Sequence, residues 1–264
     1  MYDFTYQAPA TLTDALAAIG AAEDGKLMAG GMTLIPTLKQ RLAQPSDLID
    51  LGKIAELRGI AVGGGAVTIG AMTTHAEVAF SAEVAAAIPA LASLAGHIGD
   101  AQVRHRGTIG GSICNNDPAA DYPSALVALG ATVKTDRREL PAEEFFVGLF
   151  ETALELDEIV TAVRFPIPEK AAYCKFPNPA SRYAVVGVFV AKTTSGIRVA
   201  VTGAGASVFR LPEFEQALEK SFSPDAVAGL KVPADDLNAD IHASAEYRAH
   251  LVTVMAKRAV ASIV

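Results

Sequence analysis

The sequence predicts an α+β protein, and three observations carry that expectation. Short apolar strand-like runs alternate with helix-like patterns over the first two thirds of the chain. Gly59-Ile60-Ala61-Val62 and Val67-Thr68-Ile69-Gly70 flank Gly63-Gly64-Gly65, a hairpin signal. The last third is strand-rich and ends in helices.

The first elements read as strand–helix–strand. Thr11 or Thr13 is positioned to cap a helix that carries Ala15, Leu16, Ala18 and Ile19, with Gly25 as its stop. Lys26–Ala29 reads as a strand running into Gly30-Gly31. A helical pattern follows from Thr33 to Leu42, Pro45 breaks it, and Asp47–Leu51 reads as the next strand. The texture changes near Leu57. Thr74–Leu94 is mostly helical with an interruption at Pro89, and Thr108–Ile113 is expected to be a loop–strand junction. Pro123–Leu129 reads as an apolar helix or strand, followed by Ala131–Lys134. Two prolines in Pro166–Lys170 mark a boundary. Val185–Lys192 and Ile197–Thr202 pair across Thr193–Gly196, and Pro212–Lys220 and Ala243–Ile263 are helical.

Composition excludes several classes. Hydrophobic residues are 51% of the 264, so the chain is not disordered. Lys plus Arg number 22 against 29 Asp plus Glu, a formal charge of −7, which disfavours nucleic acid as a partner. No apolar run approaches the roughly 20 residues of a bilayer span, and the N-terminus lacks the basic and apolar regions of a signal peptide. Cys114 and Cys174 are expected as free thiols, and without CxxC or CxxH spacing the chain alone holds no iron–sulfur cluster or structural zinc. The five histidines show no metal-binding spacing; His242 and His250 could share a helix face. No metal ligand, catalytic base or nucleophile is assigned, and there is no GxSxG elbow.

Two loops carry the chemical signal. Ala29-Gly30-Gly31-Met32-Thr33 lies between a strand and a helix, where backbone N–H groups converge on anionic oxygens. Thr108-Ile109-Gly110-Gly111-Ser112 repeats the chemistry, and two such loops can hold a dinucleotide's pyrophosphate between them. Neither fits a Rossmann or P-loop pattern. Either could be a simple tight turn. Asp121 is an acceptor for ribose hydroxyls or the cap of a solvated turn. Lys175 through Tyr183 is either a surface loop or a segment that tunes a flavin by charge and stacking.

Together these segments resemble the medium, FAD-binding subunit of molybdenum hydroxylases, the group of aerobic carbon monoxide dehydrogenase and xanthine dehydrogenase. Ala29–Pro36 looks like that family's first flavin motif, Gln102–Ser112 like the second, and Asp117–Asp121 continues it in phase. Val201–Gly205 and Asp240–Arg248 are similar to its C-terminal domain. The resemblance implies a PCMH-type FAD-binding fold over residues 1–168, with subdomains of about 1–56 and 57–168. A C-terminal domain of the carbon monoxide dehydrogenase flavoprotein type, antiparallel sheet plus helices, would fill 169–264.

It also implies roles. Leu27, Met28, Ala29, Gly30, Gly31, Met32, Thr33 and Leu34 would line the FAD pyrophosphate and ribityl chain. Thr108, Ile109, Gly110, Gly111 and Ser112 would close over it, and Asp121 would contact the adenosine ribose. Ile98 and Val160 would pack near the cofactor, Lys175 and Tyr183 near the isoalloxazine, with Ala71 and Thr73 in the same neighbourhood. Met32 stands where Gln or His is common, Thr33 where Ser is usual, His105 where Asn is common, and Cys114, read as a packed small hydrophobe, where a small residue is usual.

The implied enzyme oxidises substrate at a molybdenum cofactor in a large subunit. Electrons pass through 2Fe-2S clusters of a small subunit to FAD here and on to an external acceptor. The implied assembly is a dimer of heterotrimers in the cytoplasm, with peripheral attachment at the inner membrane face left open. A free-standing flavoprotein oxidase would use the same loops but needs a base beside the flavin. A flavin-free assembly subunit is hinted at only by Met32.

Overall fold

The computed structural model describes residues 1–263. The chain opens on β1 (Thr5–Gln7), α1 (Leu12–Ala21), β2 (Gly25–Met28), α2 (Leu34–Lys39) and β3 (Asp47–Asp50). The three strands form a parallel sheet in the order β1-β3-β2. Thr11 caps α1, its hydroxyl accepting the Asp14 N–H. Gly25 starts β2 rather than stopping α1, which ends at Ala21. The second helix is also shorter than its pattern, because Arg41 turns to a φ of 60°.

The middle of the chain runs β4 (Ile60–Gly63), β5 (Ala66–Gly70), α3 (His75–Phe80), α4 (Ala82–Ala87), α5 (Pro89–Gly96), α6 (Ala101–Arg106), α7 (Ile109–Asn115) and α8 (Tyr122–Leu129). It continues through β6 (Thr132–Thr135), β7 (Glu139–Pro141), α9 (Ala142–Phe145), β8 (Phe146–Gly148), β9 (Glu151–Thr152) and β10 (Val160–Pro166). β4 and β5 form the hairpin across the glycine turn. The antiparallel order is β4-β5-β10-β6-β7, with β8 and β9 a separate pair. A capping box of Thr74 and Glu77 starts α3, and Pro89 starts α5. The expected loop–strand junction at Thr108–Ile113 is the first turns of α7. Thr108 caps it, and Ile109 and Gly110 donate to the Thr73 and Ala71 carbonyls. Tertiary pairing there overrides the poor helix propensity of adjacent glycines.

The remainder is β11 (Lys170–Pro177), β12 (Ala184–Thr193), β13 (Gly196–Thr202), β14 (Phe209–Arg210), α10 (Pro212–Lys220), α11 (Pro224–Ala228) and α12 (Ala245–Ile263). The four strands form an antiparallel sheet in sequence order. Ala184–Ala191 is buried without a break. On one face, Phe189, Ala191 and Ala200 join the core under α8. On the other, Val186, Val188, Val190, Val199 and Val201 pack with Val252, Met255 and Val260 of α12. A sheet covered on both faces explains the continuous apolar run.

The loop into α12 is fixed by charge. Arg248, 4% exposed, donates to the Val185 and Gly203 carbonyls at 2.6 and 3.0 Å and pairs with Asp240 at 2.7 Å. Asp240 also accepts the His242 and Ala243 N–H groups. That turn keeps His242 off the helix, so it shares no helix face with His250. Arg248→Met is expected to cost about 3 kcal/mol, because it strands two carbonyls and a carboxylate. The denaturant midpoint, compared with wild type, measures it.

Candidate functional site

β2 delivers the chain into Ala29–Thr33, and α2 carries it away. Among the described residues, the backbone N–H groups of Gly30, Gly31, Met32, Thr33 and Leu34 meet no protein acceptor. Such a run of unpaired donors is the backbone's own anion site. The loop sits where it does because Gly30 has no side chain. A β-carbon there would overlap the Arg106 carbonyl and come within 2.9 Å of the Gly107 Cα.

The second glycine segment faces the first but differs electrically. The Ile109 N–H goes to Thr73, that of Gly110 to Ala71 at 2.8 Å, and that of Gly111 to the Thr108 hydroxyl at 3.1 Å. It therefore presents a close-packed wall with the Ser112 side chain rather than free amides. Gly110 allows that packing, since a β-carbon there would lie 2.7 Å from the Ala71 carbonyl oxygen.

Between the two lies a cleft of about 710 Å³. Leu27, Ala29, Gly30, Gly31, Met32, Thr33, Leu34, Ala71, Ile98, Thr108, Gly110, Gly111, Ser112, Asp121, Val160 and Tyr183 all line it. Four expected residues do not. Met28 packs with Leu38 and Leu48, and Ile109 is fully buried. The Thr73 hydroxyl accepts the Gly59 N–H and donates to the Gly59 carbonyl. Lys175 stands behind Asp121 rather than on the wall.

That arrangement replaces the solvated-turn reading of Asp121, which is 4% exposed. Tyr173 and Lys175 lie two positions apart on β11. Tyr173 donates its hydroxyl to Asp121 Oδ1 at 2.5 Å, and Lys175 Nζ lies 2.9 Å from the same oxygen. Lys175 also donates to the His97 carbonyl at 2.8 Å. Burial pushes the Asp121 carboxyl up, with Lys175 and Tyr173 opposing. Asp121 Oδ2 has no partner among the described residues, which leaves an acceptor for a ligand hydroxyl.

The sequence did not single out several other wall residues as binding positions: His75, Asp117, Phe150, Leu154, Glu158, Ile159 and Arg182. The helical pattern from Thr74 covers His75 but does not mark its place in the cleft. Arg138 holds Glu158 down at about 2 with hydrogen bonds of 2.8 and 2.7 Å. Burial and Arg104 push His75 down to about 4. Cys114 is open to the cleft rather than packed as a core residue. Protein surrounding it on its other sides pushes its thiol up to about 12. Neither an imidazolium nor a thiolate is available at neutral pH. Among the described residues there is no cluster of metal-ligating side chains, both cysteines are free, and no helix is long and apolar enough to cross a membrane.

Residues 2–168 match the family described as the FAD binding domain in molybdopterin dehydrogenase, and residues 171–263 match the CO dehydrogenase flavoprotein C-terminal domain. The chain belongs to the FAD-binding medium subunits of molybdenum hydroxylases. It is 38% identical to the nicotine 6-hydroxylase medium subunit of Paenarthrobacter nicotinovorans, over 97% of this chain and 95% of that one. Identity to the carbon monoxide dehydrogenase medium chain of Hydrogenophaga pseudoflava is 37%, over 97% and 95%. A solved structure of carbon monoxide dehydrogenase from Hydrogenophaga pseudoflava, lacking the Mo-pyranopterin moiety, matches with a TM-score of 0.88 at 35% identity. That match covers 98% of this chain and 96% of the other. Quinoline 2-oxidoreductase from Pseudomonas putida 86 gives a TM-score of 0.91 at 28% identity, covering 99% and 96%. As a family member, this FAD-binding chain is one subunit of a multi-subunit molybdenum-dependent oxidoreductase.

Two outcomes follow from the cleft. A β-carbon at Gly111 would already lie 3.0 Å from Thr108 Oγ1 and 3.2 Å from Ala29 Cβ. Gly111→Asp adds a carboxylate to that crowding and is expected to abolish flavin retention, read as visible flavin absorbance of the purified complex. His75 titrates at about 4 in the folded chain against 6.5 unfolded, so unfolding takes up a proton below pH 6.5. Its contribution is complete above pH 6.5 and is lost as pH falls towards 4, about 3 kcal/mol in all. Denaturant midpoints across that window should fall less steeply for His75→Gln.

Proposed function

We propose that the cleft holds FAD with its pyrophosphate on the free amides of Gly30–Leu34. The single observation that carries this reading is that run of unpaired donors in a cleft of about 710 Å³. Its size falls within the roughly 300–1,000 Å³ typical of cofactor sites, and a doubly charged pyrophosphate supplies the missing acceptors. Thr108–Ser112 forms the opposite wall. Asp121 offers Oδ2 to a sugar hydroxyl, Ile98 and Val160 pack against the cofactor, and Tyr183 stands beside the flavin ring. Lys175 stands behind Asp121 and holds that carboxylate in place for the sugar hydroxyl, offsetting its negative charge.

Bound there, FAD supplies a centre that takes up electrons singly and gives them up in pairs. The chain's residues bind and orient it, and Tyr183, 45% exposed, marks an open side where an acceptor can approach. Electrons would arrive from 2Fe-2S clusters on a small partner subunit, after substrate oxidation at the molybdenum cofactor of a large one. The assembly fitting this role is a dimer of heterotrimers.

Purification of the native complex tests the reading. We expect this chain to bring a large and a small subunit, one FAD per copy, and molybdenum and iron only with the partners. Substrate-dependent flavin reduction by this chain alone would overturn the electron-outlet role.

A further inference from the structure

One wall residue is explained neither by the core nor by its own turn. β8 and β9 pair Phe146 with Thr152 and Gly148 with Glu151, and Leu149-Phe150 forms the tip between them. Phe150 has a φ of +54°, a conformation that glycine takes freely and a bulky residue resists. Its side chain is 57% exposed and fills no core, yet it lines the cleft together with Leu154, Ile159 and Val160.

The strained tip is held from outside. Asn116, 1% exposed, donates its Nδ2 to the Gly148 and Glu151 carbonyls, both at 2.8 Å. Its own carbonyl accepts the Phe150 N–H at 3.3 Å. Asn116 too has a positive φ, +41°, and directly follows the helix that carries Gly110, Gly111 and Ser112. A two-stranded pair is marginal alone, so these three bonds set where the Phe150 ring stands relative to the glycine wall. Backbone strain held in place by surrounding bonds is characteristic of ligand clamps.

We propose that Phe150 is a cofactor-binding residue, its ring held by the Asn116 clamp against a planar heteroaromatic ring of the bound dinucleotide. The inference rests on the FAD reading above. A ring more than half exposed in the free cleft gains apolar burial and stacking when a flat ligand covers it. The chemistry is common to the two ends of FAD, and FMN, which lacks the adenine, tells them apart.

The test uses the complex stripped of flavin and titrated with FAD and with FMN, comparing wild type, Phe150→Gly and Phe150→Tyr. Loss of the ring is expected to raise the FAD dissociation constant about tenfold, the size of one base–aromatic stack. The melting temperature of the flavin-free Phe150→Gly complex should not fall, because glycine takes a φ of +54° without strain. A structural role would lower it instead. Phe150→Tyr keeps the ring and should bind as wild type. FMN affinity falling in parallel assigns the flavin ring, and FMN affinity unchanged assigns the adenine; both support the proposal. Equal FAD affinity in Phe150→Gly and wild type would overturn it while leaving the FAD reading intact. A wild-type complex that binds no FAD would overturn both.

Discussion

The cleft depends on backbone approaching backbone more closely than a side chain permits. Gly30 abuts the Arg106 carbonyl, and Gly110 sits on Ala71. The first contact seats the loop from the parallel sheet against the end of α6, and the second seats α7 on the residue that follows β5. The small core of Ile49, Leu51, Ile54, Leu57, Met72 and Ile159 backs the same junction, with Ala15 and Ile19 of α1 on its far side. Its apolar burial sets the gap, and the glycines let the gap close at one end.

The two glycine segments look alike in sequence and behave differently. Gly30–Leu34 keeps its donors free, and a strand before it and a helix after it fix their direction. Thr108–Ser112 uses its donors to tie a helix to Ala71 and Thr73. One side is thus adhesive and the other rigid. A small anion bound only on the first side can still be located accurately, because the second side does not yield.

Much of this was legible because the signals were local. The Thr11 cap, the Gly63–Gly65 hairpin, the strands around Thr193–Gly196 and the long last helix each follow from neighbouring residues. What stayed hidden depended on distant partners. α7 contains two adjacent glycines, and two of its first donors are satisfied by Thr73 and Ala71, far earlier in the chain. Lys175 read as a candidate beside a flavin, and only the fold shows that Asp121 and the His97 carbonyl already occupy its amine. Phe150 carries no sequence signal at all, since its meaning lies in a φ angle and in Asn116. Cys114 was read as packed because small residues usually pack, whereas helix geometry turns it to the cleft.

The contact of β11 with Asp121 bears on how such a chain can be inherited. Tyr173 and Lys175 lie in the segment matching the C-terminal family, while Asp121 lies in the segment matching the FAD-binding family. Thr202 and Gly203 add hydrogen bonds back to the Pro118 and Ala120 carbonyls, beside the same aspartate. A recombinant joined near residue 170 would combine one lineage's buried carboxylate with another lineage's strand, and a mismatch would leave that charge without its counter-ion. The two segments are separate as sequence families, but electrostatically they form one heritable unit.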